Sequence, residues 1–325
     1  MRVEWCPGCG ERNARSTRCS GFGHGRGATY VLAVLSDVDG VKVGHWTEVA
    51  ARTGCTVVVL PPGTVASGEV RGGAPATREF ELLHPDRRVN TVDAVVLSGG
   101  SAFGLAAADG VVHWLEQQGR GIATIGGLVP IVVGMCLYDL AVGDPNVRPG
   151  SQEGRVAAER ATGGAHEVGS VGAGTGATVG KWVGRTTARP GGLGTASLRV
   201  GDLVVSALIA VNAFGFIDDG VSTADIGPPQ FDTAVESSFG NTTIGVIATN
   251  AVADKQMCRL MAQSGHDGMA RALLPAHTEA DGDALVAVAT GVVTADLFHL
   301  RLLAQQVVTQ AIRSVGYSAA AVGRK

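Results

Sequence analysis

Residues 240–250 read GNTTIGVIATN, a polar junction that passes at once into an apolar, β-branched run. The segment before it, IDDGVSTADIGPPQFDTAVESSFGN (217–241), is polar and rich in turn residues. The pattern predicts a loop that stops at Asn241 and a buried strand that starts at Thr242. A threonine opening a core strand is ordinarily just a β-former. The same placement also fits a self-cleaving bond. In that reading the Thr242 hydroxyl attacks the Asn241 carbonyl, and hydrolysis of the resulting ester frees the Thr242 α-amine. Such an amine has a reference pKa of roughly 7.7–8.0. Near neutral pH it can act as the base for its own hydroxyl.

Outward from this junction, apolar runs and helical periodicities alternate. GCTVVVLPPGT (54–64), TVDAVVLSGG (91–100) and ALVAVATG (284–291) read as buried strands. SLRVGDLVVSALIAVNAFG (197–215) reads as a hairpin whose second strand is long and buried. VLAVLSDVDGVKVGHW (31–46) reads as two short strands joined at Asp39-Gly40. Helices are expected over 101–119, with Gly119 as C-cap, and over 155–161, 251–264 and the C-terminal segment from 294. A second short helix is expected at 267–274. The alternation implies an α/β or α+β protein built in layers.

The chain has 325 residues, 45% of them hydrophobic and 17% charged, with net charge −3. A large core is affordable at that length. Five per cent aromatics and no basic stripe argue against nucleic acid as a partner. The long uncharged stretches at 121–138 and 203–217 are respectively broken by Pro130 and too short, so they read as core rather than as membrane spans. Residues 1–30 differ from the rest: no apolar periodicity, no signal-peptide core, and three of the six cysteines. Cys6, Cys9, Cys19 and His24 imitate a zinc knuckle with irregular spacing. The plainer reading is a disordered extension, and the default location is cytoplasmic. Cys55, Cys136 and Cys258 are expected to be reduced and buried.

Two motifs look more catalytic than they are. Gly99-Gly100-Ser101-Ala102-Phe103 lacks the last glycine of a nucleophile elbow, so Ser101 reads as a helix N-cap. VGAGTGATVGK (171–181) has Thr175 where a phosphate loop needs glycine. Lys181 on its own reads as a strand-end surface residue. Asn212, inside ALIAVNAFGF, needs partners if buried and is a candidate oxyanion donor. Asp281 and Asp283 either cap a turn or hold an ammonium.

Taken together, GVKVGHW (40–46), ARTGCTVVVLPPGTVASGEVRGGAPATRE (51–79), VDAVVLSGGSAFGLAAADGV (92–111), GSVGAGTGATVGKW (169–182), NTTIGVIATN (241–250), GHDGMARA (265–272) and HTEADGDALVAVATG (277–291) resemble the DmpA family. That family comprises L-aminopeptidase/D-amidase/esterases, β-peptidyl aminopeptidases and nylon-oligomer (6-aminohexanoate oligomer) endo-hydrolases. The resemblance runs from about residue 35 to the C-terminus. It implies a four-layer α/β/β/α sandwich similar to N-terminal-nucleophile hydrolases, spanning 31–325. It further implies self-cleavage into 1–241 and 242–325, with the two chains staying together in a homo-oligomer. Thr242 matches the nucleophile after the scissile Asn241. Lys181 and Asn212 match residues supporting the nucleophile and the oxyanion, and Asp281 and Asp283 match the acidic pair behind it. The Asn-Thr junction and the D-G-D pair look closer to the nylon-oligomer branch. The implied activity is hydrolysis of short peptides, amino acid amides or esters, or ω-amino acid oligomers, without metal or organic cofactor. A non-catalytic metabolite-binding protein on the same scaffold is the rival expectation.

Overall fold

The computed structural model describes residues 34–182, 184–220 and 240–322, with the side chains of 185 and 317–322 left aside. The supposed zinc knuckle and most of the polar loop before Thr242 fall outside the described residues. Two five-stranded sheets are built from β1 (Lys42–Glu48), β2 (Thr53–Val59), β3 (Val65–Val70), β4 (Thr77–Arg78), β5 (Ala94–Ser98), β6 (Val132–Cys136), β7 (Gly192–Val200), β8 (Leu203–Asn212), β9 (Thr242–Ala251) and β10 (Ala284–Val293). The first sheet has the order β1-β2-β5-β6-β4 and the second β7-β8-β9-β10-β3. Each sheet is antiparallel across its first two pairs, parallel across the third and antiparallel across the last.

The central strands β2, β5, β6, β8, β9 and β10 are largely apolar and buried because both faces of each sheet are covered. Val58, Val95, Leu97 and Val133 of the first sheet meet Leu208, Ala210, Val246 and Val286 of the second in one shared core. The opposite face of the first sheet, through Val57 and Val96, packs on α1 (Ala107–Gln117) and α2 (Ser151–Glu159). The opposite face of the second, through Ile209, Ile247 and Ala287, packs on α3 (Lys255–Ala270) and α4 (Leu297–Val322). Each fully buried Val, Leu or Ile contributes about 1.5–3 kcal/mol. The result is the four-layer α/β/β/α sandwich that the family resemblance implies.

Three local expectations are corrected. Residues 35–37 form a 3-10 turn rather than a strand, and Gly40, at φ +81°, turns the chain into β1. No second helix begins at 267, because α3 runs unbroken to Ala270. Its glycines mark close packing: a Cβ on Gly268 would lie 2.2 Å from the Gln305 oxygen of α4. Ser101 makes no capping bond, since Gly100 occupies the N-cap position. Gly119 closes α1 as expected, with its N–H on the Glu116 carbonyl. Cys55, Cys136 and Cys258 are buried free thiols. No helix among the described residues is long and apolar enough to cross a membrane.

Candidate active site

The second sheet gathers the sequence candidates at one end. β8 finishes at Asn212, and the antiparallel register sets Asn212 opposite Thr242, the first residue of β9. β10 runs parallel to β9, so the turn before it, Asp281-Gly282-Asp283, arrives beside the same end. An isolated bridge links Asn241 to Asp281. Lys181 enters from the segment after Thr178–Val179, where its N–H bonds the Phe214 carbonyl. Thr242, Asn241, Asn212, Lys181, Asp281 and Asp283 are all buried.

The Thr242 hydroxyl donates a short hydrogen bond to the Asn241 carbonyl oxygen. The Gly282 N–H points at both groups, 3.1 Å from the Asn241 oxygen and 3.2 Å from Thr242 Oγ1. A Cβ on residue 282 would sit 2.7 Å from that hydroxyl, so only glycine lets the turn approach. One backbone donor therefore already polarises the carbonyl of the Asn241–Thr242 bond.

Lys181 is buried, against the expectation of a surface residue. A buried ammonium needs compensating acceptors. Its Nζ finds Asn212 Oδ1 and the Asn212 carbonyl, each at 3.1 Å, and the Gly240 carbonyl at 3.3 Å. The orientation of the Asn212 amide follows from its neighbours. Oδ1 also accepts from the Thr178 N–H at 2.9 Å, while Nδ2 donates to the Tyr138 carbonyl at 2.9 Å. One Nδ2 hydrogen is thus committed to the scaffold.

The two aspartates hold the chain's own N–H groups. Asp281 Oδ1 accepts from the Phe214 N–H at 3.2 Å, and Oδ2 from the Thr278 N–H at 3.2 Å and its hydroxyl. Asp283 Oδ1 accepts from the Thr243 N–H at 2.7 Å, and Oδ2 from the N–H and ring Nδ1 of His277 at 3.0 and 2.9 Å. Burial, reinforced by the charge of Asp283, pushes the Asp281 carboxyl above the usual carboxylate range. Residues 71–74 clasp this turn from outside. The Arg71 and Gly72 N–H groups donate to the Asp283 carbonyl and the Ala74 N–H to the Asp281 carbonyl. Gly72 is required there, because a Cβ would meet the Asp283 nitrogen at 2.3 Å.

Sequence reasoning passed over Gly282, the Tyr138 carbonyl and His277. A glycine between two acids was the available signal for the first; backbone donors and a carbonyl leave none. The glycines of 171–181 find a packing explanation instead of a phosphate. A Cβ on Gly172, Gly174 or Gly176 would meet Thr56 Oγ1, the Leu193 nitrogen or the Arg52 oxygen at 2.5 Å or less. A cavity of about 390 Å³ lined by His45, Thr47, Arg160, Thr162 and His166 shares no residue with the Thr242 cluster.

Comparison with known proteins places the chain in a family. The model of peptidase family S58 matches residues 33–323. An uncharacterized aminopeptidase of Mycobacterium tuberculosis is 42% identical over 316 residues, covering 88% of this chain and 90% of the relative. A 6-aminohexanoate-oligomer endohydrolase of Paenarthrobacter ureafaciens is 31% identical over 279 residues, covering 78% and 74%. Among solved structures, the L-aminopeptidase D-Ala-esterase/amidase of Ochrobactrum anthropi superimposes with a TM-score of 0.72 at 20% identity, over 91% of this chain and 89% of that one. A beta-aminopeptidase of Burkholderia sp. gives 0.69 at 22%, over 90% and 88%. These last two show a shared fold.

Proposed function

Because the chain belongs to peptidase family S58, we propose that it is an amide hydrolase that first cuts its own Asn241–Thr242 bond and then uses Thr242 as an N-terminal nucleophile. The observation that carries this reading is the Thr242 hydroxyl lying against the Asn241 carbonyl, with the Gly282 N–H on both. In the first phase Thr242 Oγ1 adds to the Asn241 carbonyl carbon, and the Gly282 N–H stabilises the developing oxyanion. The C–N bond breaks as the nitrogen takes up a proton, leaving an ester. Water then splits the ester into an Asn241 carboxylate and the Thr242 hydroxyl, leaving Thr242 with the amine freed in the previous step. In the second phase that amine takes the hydroxyl proton as Oγ1 attacks a substrate amide. Lys181 next to the new terminus favours the neutral, basic form of the amine by charge repulsion. The second Nδ2 hydrogen of Asn212 serves the oxyanion. Asp281 and Asp283 keep the Phe214, Thr278 and Thr243 backbone in place, and the leaving amine departs before water releases the acyl group.

Short peptides, amino acid amides and ω-amino acid oligomers are the substrate classes suggested by the relatives, with the processed chains associating into a homo-oligomer. Intact mass measurement of purified protein tests the first phase, with chains 1–241 and 242–325 as the expected products. The Thr242→Ala variant is expected to stay one chain and to hydrolyse nothing. A wild-type chain that remains whole on long incubation, or a variant that still divides, would overturn the proposal. A panel of aminoacyl p-nitroanilides and 6-aminohexanoate oligomers assigns the substrate.

A further inference from the structure

His277 stands just outside the reacting groups and has no role in the steps above. It adopts φ +56°, a conformation that non-glycine residues seldom hold without support. Three hydrogen bonds supply the support. Its N–H and ring Nδ1 both reach Asp283 Oδ2, at 3.0 and 2.9 Å, while ring Nε2 reaches the His266 carbonyl at 3.2 Å. A carboxylate oxygen and a backbone carbonyl only accept. Both ring nitrogens must then carry hydrogen for both bonds to exist, which makes the ring an imidazolium. The His266 carbonyl lies near the C-terminal end of α3, where the helix dipole also favours a cation.

The surroundings are consistent with a charged ring. On its own segment His277 faces Asp283, with Asp281 beyond. From α3 it meets the His266 ring, edge to face at 4.9 Å between centroids. The His266 ring is neutral, its pKa lowered to about 4 by burial, and its Nε2 is bonded to the Glu69 carbonyl. From β3 comes Glu69, and from the residue just past the end of that strand Arg71; Arg71 opposes a second cation but is itself paired with Glu69 and Asp267. Burial alone would lower the His277 pKa, yet the bond to Asp283 and its charge outweigh it, and the net direction is up.

We propose that His277 is a positioning residue for the Thr242 site: its doubly protonated ring fastens Asp283 to α3, and Asp283 in turn fixes the Thr243 N–H and so the placement of Thr242. This inference rests on Thr242 being the nucleophile. It assigns the two limbs of the pH profile to different groups. The rise with pH comes from freeing the Thr242 amine, and the fall at higher pH comes from His277 losing a proton.

The test has two arms. In 15N-labelled wild-type protein, NMR of the His277 ring is expected to show both nitrogens protonated at pH 7; a neutral ring there overturns the proposal whether or not any variant folds. In the second arm, His277→Asn keeps a short donor toward Asp283 but removes the charge. It is expected to lower kcat about 10- to 100-fold through misplacement of the nucleophile. KM is expected to stay within about twofold, and the alkaline fall to vanish. A folded variant with the wild-type kcat and pH profile overturns the proposal. If the wild-type protein itself neither divides nor hydrolyses, the assignment of Thr242 fails instead, and the NMR result still decides the state of His277.

Discussion

The two sheets repeat one pattern of strand pairing and differ in what stands at the ends of their central strands. In the second sheet the ends of β8, β9 and β10 bring together an ammonium, a hydroxyl, an amide and two carboxylates. In the first sheet the C-terminal ends of β5 and β6 gather the Gly99-Gly100 turn around one buried carboxylate, Asp139. That group accepts from the Gly100 N–H and the Thr53 hydroxyl, each at 2.7 Å, and burial raises its pKa. A Cβ on Gly99 would lie 2.1 Å from Asp139 Oδ2, so the turn is moulded onto it. One carboxylate absorbed by its own loops makes a brace. A cation and a hydroxyl set among strand-end acceptors are the groups on which the proposed chemistry rests. The ladder is common to both, and the chemistry comes from the side chains at its ends.

The sharpest challenge to this contrast is Lys181→Met, which removes the donor shared by Asn212 and the Gly240 carbonyl. Its expected effect is a fall on the order of 10²–10³ in kcat, similar to loss of an oxyanion-hole donor, with slower division of the chain. Amide hydrolysis and intact mass follow both, and an unchanged rate would move the chemistry away from this sheet. Acid tests the stability of both halves at once. His45 and His166 at the first sheet and His266 behind the second have pKa values lowered to about 4, chiefly by burial. The unfolded chain binds these protons near pH 6.5 and the folded chain only near pH 4, so stability is retained above pH 6.5 and falls across that window. Denaturant titrations from pH 7 to 4 are expected to show this loss, with up to three protons taken up on unfolding; a flat profile would mean the rings are charged in the fold. The smallest effect belongs to Asp139→Ala. It leaves the Gly100 N–H and Thr53 hydroxyl unpaired, costing about 1–3 kcal/mol in urea unfolding, while division at Asn241–Thr242 still goes to completion. Failure to divide would give the first sheet a part in the reaction.

What could be read from the sequence follows from how local each signal is. The Asn241–Thr242 junction was visible because a polar loop meets an apolar strand within two residues. A layered class was visible because apolar runs alternate with helical periodicities, while the four-layer order came from the family resemblance. The meeting of Lys181 with Asn212 left no pattern in the residues themselves and was implied only by the family resemblance. His277 gave no signal beyond a lone histidine in a turn, since its meaning lies in Asp283 and in a carbonyl of α3. Gly265 and Gly268 misled in the other direction. They look like helix breakers, but a Cβ on them would meet the Ile247 side chain at 2.4 Å and the Gln305 oxygen at 2.2 Å, so they are where α3 is pressed closest to its neighbours.

The order of the second sheet has a further consequence. β9 and β10 lie between β8 on one side and β3 on the other, and both outer strands precede Asn241 in the chain. A chain severed at Asn241–Thr242 therefore contributes two inserted strands from one piece and their flanking strands from the other. Such pieces could separate only by unzipping two ladders within a closed core, so the native assembly would outlast the proposed cut. Once unfolded, however, they must find each other by diffusion. A fold reached by a single molecule becomes one whose recovery depends on concentration.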